Sequence, residues 1–284
     1  MRHVGPRCLT LFSTVLYERV AHKVAGHAFN NVLGAVRGGT ADSLTAFRVL
    51  DVASGYSREP GATIARAIPR AEVLATDQTE FSIGDELLPP NLSVGVENAE
   101  ELDGVKNASV DAVTCSFGLE HLQEPVAALR SFHRVLRPGG MMTLVTWGPK
   151  EDVAWFAPLS AAAEELGTNL FDPSVPASAS ALSDEYLAST LQRAGFVAIE
   201  IEADDLLAFF ETTSDWYEAV VLGGPWEDFC NHWQMPDSEI RWRFEEAAKA
   251  YEGPNGGIMC RSAVRIITAV KGTGKVVRKP PGAG

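Results

Sequence analysis

Two carboxylates stand where an open sheet could present them to a ligand. Asp51 lies in the apolar run Val49, Leu50, Asp51, Val52, which passes straight into Ala53, Ser54 and Gly55. An apolar run without polar alternation suits a parallel strand covered on both faces, and a small-residue turn after it lets the backbone approach a bound molecule. Adenosyl cofactors bind at such corners. Asp77, 26 positions after Asp51, closes a second apolar segment over residues 71–76, the place for a carboxylate that accepts hydrogen bonds from a ribose. His121 follows a further small-residue strand end, Ser116, Phe117, Gly118. Histidine titrates near neutrality, so His121 is a candidate general base if the acceptor must lose a proton; a purely structural histidine is the other reading.

Alternating strand and helix patterns must carry these residues. The expected order is strand 47–53, helix 58–68, strand 72–77, helix 79–87, strand 92–96, strand 110–116, helix 124–136 and strand 141–147, which implies a mainly parallel sheet. Residues 12–35 have helical spacing through Phe12, Val15, Leu16, Val20, Val24, Phe29 and Val32 and form an entry arm. In that arm Tyr17 or Phe29 faces the pocket or, the preferred reading for Phe29, packs in the core. Residues 151–181 are rich in Ala, Ser and Pro around one helix and suit a lid. Ser183 then caps a helix stopped by Gly195, followed by strand 196–201, helical segments 214–222 and 237–251, and a last strand near 263–270.

In order and spacing, residues 45–150 resemble the class I S-adenosylmethionine-dependent methyltransferases, in particular the small-molecule group related to ubiquinone-biosynthesis C-methyltransferases. The resemblance rests on the turn after Asp51, on Asp77, on the run Glu97, Asn98, Ala99, on Leu119, Glu120, His121, Leu122, and on Arg134 to Gly140. It implies an α/β, Rossmann-like, doubly wound and mainly parallel seven-stranded sheet, with an N-terminal helical arm and a helical lid or cap. One domain over residues 1–272 is expected, with arm 12–46, cofactor-binding core 47–150 and lid, cap and last strands 151–272; a basic disordered tail, 273–284, follows.

The resemblance further implies S-adenosyl-L-methionine as cofactor and methyl transfer to carbon, oxygen or nitrogen of a small organic acceptor. Asp77 would hold the ribose, with Gln78 beside it, and Asn98 and Ala99 the adenine. Asp51 and the turn residues Ala53 and Gly55 would lie at the amino-acid end, and Ser116 would also bind the cofactor. Of the three glycines usual in the turn only Gly55 is kept, Ala53 and Ser57 standing at the other two places. Tyr56 and Arg58 then either crowd the corner or recruit the ligand, Arg58 by pairing with its carboxylate and Tyr56 by facing its sulfonium. A catalytically silent S-adenosylmethionine or metabolite binder is one alternative. A nicotinamide-dependent dehydrogenase is another, less well matched because Gly-x-Gly-x-x-Gly is missing. Aromatic residues Phe117, Trp147 and Trp155 could pack on a flat acceptor, and Trp216, Trp226 and Trp233 either line its far wall or close the cap's own core.

Composition bounds the partners. A formal net charge of −13 over 284 residues opposes a polyanion, so nucleic acid is not expected and a small-molecule substrate is. Cys8, Cys115, Cys230 and Cys260 make no Cys-x-x-Cys pair, which suggests a reducing compartment, no disulfide framework and no metal. No apolar run has the length of a membrane span, and a cytoplasmic location is expected, with the basic opening of residues 1–7 the one hint of organelle targeting. Oligomeric state is left open.

Overall fold

A computed structural model describes residues 14–37, 46–80, 88–167, 183–222 and 237–273. The expected targeting segment, most of helix 79–87, much of the lid, Trp226, Trp233 and nearly all of the basic tail lie outside them. The helices are α1 (Thr14–Arg37), α2 (Gly61–Ala67), α3 (Pro125–Val135), α4 (Ala157–Glu165), α5 (Asp184–Ala194), α6 (Thr213–Tyr217) and α7 (Asp237–Ala248). The strands are β1 (Arg48–Val52), β2 (Glu72–Asp77), β3 (Leu92–Val96), β4 (Val110–Ser116), β5 (Leu136–Trp147), β6 (Phe196–Phe210) and β7 (Ile258–Lys271).

They form one seven-stranded sheet in the order β3-β2-β1-β4-β5-β7-β6, parallel through β5, with β7 antiparallel to both β5 and β6. Because strand side chains alternate between faces, Val49 joins a core with α1, α2, α4 and α7 while its neighbour Leu50 joins one with α3 and α5. Both faces are therefore covered, as the unbroken apolar strands require. The order reverses direction beside β1, between β2 and β4, and ligands in such sheets sit outside the carboxyl ends of the strands at that point.

The helices end where their chemistry says. The hydroxyl of Ser183 accepts the Tyr186 N–H at the start of α5, and Gly195 ends it in the left-handed conformation at φ 99°. In α1 the buried residues Leu16, Val20, Val24 and Ala28 recur every four positions. Phe29, expected in the core, is 62 % exposed, because one step of 100° past Ala28 carries it off that stripe. Arg19 and Lys23 on α1 pair with Asp204 and Glu202 of β6, which ties the arm to the far edge of the sheet.

Two further corrections concern boundaries. The expected helix 58–68 starts only at Gly61, since residues 54–60 are spent on the turn around the corner. Strand 196–201 runs on to Phe210, pairing with β7 except at a register shift between Val197 and Glu200, because the charged stretch from Glu200 to Asp205 lies on an outer strand where polar side chains meet water. The cap has its own aromatic core: Trp216 stacks on Phe210 at 5.5 Å and meets the edges of Phe244 and Tyr251 at 5.7 and 5.2 Å. Fully buried there, Trp216 closes the cap.

Candidate functional site

At the carboxyl ends of β1 and β2 the chain encloses a cavity of about 340 Å³, lined by Ser54, Gly55, Arg58, Ala75, Asp77, Thr79, Glu80 and residues 94–96. Asp77 organises it. One carboxylate oxygen accepts the Gly55 N–H at 3.0 Å and the other accepts the Thr79 N–H at 3.0 Å. A carboxylate offers about four lone-pair sites, so two stay available to a ligand diol. Gly55 turns at φ 61°, and a Cβ built on it would meet nothing within 4 Å among the described residues. The floor of the cavity is thus bare backbone, open to close approach.

Three residues other than glycine adopt left-handed backbone around this corner: Ala53 and Arg58 at φ 53° and Phe117 at φ 54°. Such conformations cost roughly 1–2 kcal/mol each and persist where surrounding structure over-determines them, as at ligand clamps. Gly118 makes the junction possible. A Cβ there would lie 2.6 Å from the Ala53 Cβ and 2.8 Å from the Cys115 Sγ. Gly118→Ala is expected to lower stability by roughly 1–3 kcal/mol in denaturant unfolding and to loosen the residue 53–55 turn.

Asp51 is close by but does not line the cavity. It is fully buried, with one oxygen accepting the Thr114 hydroxyl at 2.6 Å and the other the Gly61 N–H at 2.9 Å. Burial pushes its carboxyl up to about 7, against the pull of those two donors. Asp51 therefore fixes the start of α2 and joins β1 to β4 beneath the turn. Thr76 adds a hydroxyl to the Asp51 carbonyl at 3.2 Å, and the Ser54 N–H reaches the Thr76 carbonyl at 3.0 Å.

The remaining residues singled out in the sequence are dispersed around this centre. Gln78 is exposed beside Asp77. Asn98 is exposed and its side-chain oxygen accepts the Glu100 N–H at 2.9 Å, while Ala99 is buried in the core on the α3 side. Ser116, at the end of β4, and His121 stand outside the cavity lining, each with a buried polar atom, Oγ and Nδ1, that has no hydrogen-bond partner among the described residues. Burial lowers the His121 pKa, which keeps the imidazole neutral at neutral pH. Glu120 was not legible as a site residue. It is 8 % exposed, accepts the Trp147 N–H at 2.8 Å on one oxygen, leaves the other without a partner among the described residues, and burial pushes it up to about 7. Nothing in Leu119, Glu120, His121 signals that the acid, rather than the histidine, is the more enclosed.

Beyond β4 and β5 the aromatic rings converge. Phe117 lies 4.5 Å from Trp147, which stacks on Trp155 at 5.9 Å and meets Phe156 at 5.1 Å. The Arg265 guanidinium holds the Trp147 carbonyl at 3.0 Å, so the end of β5 is gripped at N–H and carbonyl alike. A larger cleft, about 420 Å³, opens beside α4 between Lys150 and Arg261 and contains none of the corner residues. Among the described residues no group of three or more His, Cys, Asp or Glu side chains could hold a metal ion, and no helix is long and apolar enough to cross a membrane.

Comparison with known proteins places the same segment. Residues 50–144 match the family described as methyltransferase domain. A ubiquinone biosynthesis O-methyltransferase of Xanthomonas oryzae is 32 % identical over 113 residues, 36 % of this chain and 44 % of that protein. A demethylmenaquinone methyltransferase of Renibacterium salmoninarum is 36 % identical over 118 residues, with the same shares. The chain thus spans less than half the length of these curated relatives. In fold it is similar to the YcgJ protein of Bacillus subtilis, with a TM-score of 0.50 at 18 % identity over 80 % of this chain and 93 % of that one. Sheet, corner and matched segment agree, and what residues 50–144 are similar to is a methyltransferase domain.

Proposed function

We propose that the chain transfers a methyl group from S-adenosylmethionine to a small organic acceptor by in-line displacement. The observation that carries this reading is Asp77, which holds the Gly55 and Thr79 amides and lines an open cavity of about 340 Å³ at the reversal of strand order. The residues present fit an adenosyl group. Asp77 has acceptor capacity for the ribose hydroxyls, Val94, Gly95 and Val96 offer a flat, largely apolar wall for the adenine, and Gly55 admits close approach.

The bound cofactor would supply an electrophilic methyl on a positively charged sulfur. The chain's task is alignment. Asp77 orients the ribose, the residue 53–55 turn positions the amino-acid end, and the Phe117, Trp147 and Trp155 rings keep the space beyond β4 apolar and poor in water. This aromatic wall favours an acceptor with a flat or apolar body. Where the acceptor must lose a proton, the neutral His121 imidazole is the candidate base.

Calorimetry with S-adenosylmethionine and S-adenosylhomocysteine tests the site, and transfer of labelled methyl to a panel of small acceptors tests the chemistry. Micromolar binding with label transfer is expected. Binding without transfer to any acceptor would move the reading to a silent binder, and binding of a nicotinamide dinucleotide in place of both ligands would overturn it.

A further inference from the structure

Between β4 and β5 the strand ladder is finished by a side chain. The Val145 carbonyl accepts the Phe117 N–H at 2.8 Å, and there the line of β4 ends, because Phe117 turns at φ 54° toward the short helical turn Leu119–His121. Two residues further along β5, the Trp147 N–H faces the side that the chain has left. A buried N–H without an acceptor is costly, and Glu120 supplies one: its enclosed carboxyl takes the Trp147 N–H at 2.8 Å. The far flank is fixed as well, the Trp147 carbonyl by Arg265 at 3.0 Å and the next residue by the Gly148 N–H on the Ala263 carbonyl at 2.8 Å.

What this bond positions is a ring. Buried Trp147 lies 4.5 Å from Phe117 and 5.9 Å from Trp155, both half-buried, and meets Phe156 at 5.1 Å. Phe117 adjoins Gly118, which packs directly on Ala53 of the turn, so the row of rings starts at the cofactor corner and runs outward. Packed aromatic side chains have few alternative arrangements, and the direction of the Trp147 ring therefore fixes its two half-buried neighbours. A carboxyl keeps an acceptor oxygen whether ionised or protonated, so the bond to Trp147 does not depend on the charge of Glu120.

We propose that Glu120 is the positioning residue of the acceptor wall: it completes the ladder beyond the end of β4 and, through the Trp147 N–H, sets the row of rings against which a flat acceptor lies. The proposal rests on the reading above that these rings border the acceptor space. Glu120 touches no reacting atom. Its hydrogen bond, and not its charge, carries the role, so the length of the side chain matters and its ionisation does not.

Three variants separate length from charge. Glu120→Gln keeps the length and an acceptor oxygen, Glu120→Asp keeps the charge but falls one methylene short of Trp147, and Glu120→Ala removes both. Denaturant unfolding checks the fold. Near-ultraviolet circular dichroism reads the stacked Trp147 and Trp155 rings, calorimetry reads S-adenosylhomocysteine, and 1-naphthol added to the S-adenosylhomocysteine-loaded chain stands for a flat acceptor. Glu120→Gln should match the unmodified chain in all three. Glu120→Asp and Glu120→Ala should lose ring signal and bind 1-naphthol roughly 10-fold more weakly, with S-adenosylhomocysteine affinity changed less than about twofold. Should Glu120→Ala fail to fold, Glu120→Gln against Glu120→Asp still decides. Loss in Glu120→Gln with none in Glu120→Asp would make charge the working feature and overturn the proposal, as would equal loss of both ligands or no change in any variant. An unmodified chain that binds S-adenosylhomocysteine but not 1-naphthol would overturn the acceptor wall and the role of Glu120 with it, leaving the adenosyl site intact. One that binds neither would overturn the adenosyl reading as well.

Discussion

Asp77→Ala is expected to weaken S-adenosylhomocysteine binding by roughly 100- to 1000-fold, the largest loss of any single substitution at the corner. Two hydrogen bonds from ribose hydroxyls to a charged acceptor contribute about 1.5–3 kcal/mol each, and every 1.4 kcal/mol is tenfold. The same carboxylate holds the Gly55 and Thr79 amides, so its removal also frees the turn that shapes the cavity floor. Asp77→Asn keeps one acceptor oxygen and should lose only about tenfold. Calorimetry at fixed salt reads both. An Asp77→Ala protein that is folded and binds as the unmodified chain does would remove Asp77 from the site.

The second large effect belongs to Asp51 and concerns stability. Its carboxyl is pushed up to about 7 by burial, well above its value in an unfolded chain. Between roughly pH 4 and 7 the folded chain therefore keeps a proton that the unfolded chain has lost. Asp51 thus makes the chain less stable as pH rises through that window, by up to about 1.4 kcal/mol per pH unit, and its effect levels off above pH 7. Glu120, also pushed up to about 7, acts in the same direction. His27, His121 and His133, whose pKa values burial lowers, act in the opposite sense, gaining stability as pH rises toward 6.5. The difference between proteins isolates Asp51. Asp51→Asn, whose oxygen can take the Gly61 N–H while its amide faces the Thr114 hydroxyl, should unfold at higher denaturant than the unmodified chain at pH 8 and lose that advantage at pH 4.5. Asp51→Ala leaves both donors buried and unpaired, and should cost about 3–5 kcal/mol at pH 4.5 and less at pH 8, where the unmodified chain has lost the contribution of its protonated carboxyl. Parallel pH profiles for Asp51→Asn and the unmodified chain would refute the account.

The parallel half of the sheet was legible because β1 and β4 are mostly apolar runs that lead into small residues; β2, β3 and β4 fall on the expected positions. Strand β6 was not, beyond Ile201, because an outer strand carries charges that read as loop until its partner β7 is known. Asp77 and Gly55 were legible from position alone, since a strand end fixes which way the backbone opens. For Asp51 the sequence gives the strand but not the neighbours, and only packing shows that Thr114 and Gly61 take up both oxygens. Burial of Arg58 and exposure of Tyr56 and Ser57 are likewise tertiary facts: three adjacent bulky or polar residues look alike in a turn until the backbone assigns each a direction.

The position of β7 between β5 and β6 bears on how the chain is made. Synthesis proceeds from the N-terminus, so while α4, α5, β6, α6 and α7 emerge, β5 has no neighbour on its outer side. Its N–H and carbonyl groups from Met141 to Trp147, in a strand of almost wholly apolar side chains, form an open edge of the kind that pairs with other chains. The nascent protein carries that hazard until residues 258–271 slot in, and the order of translation makes the last strand the one that seals the sheet.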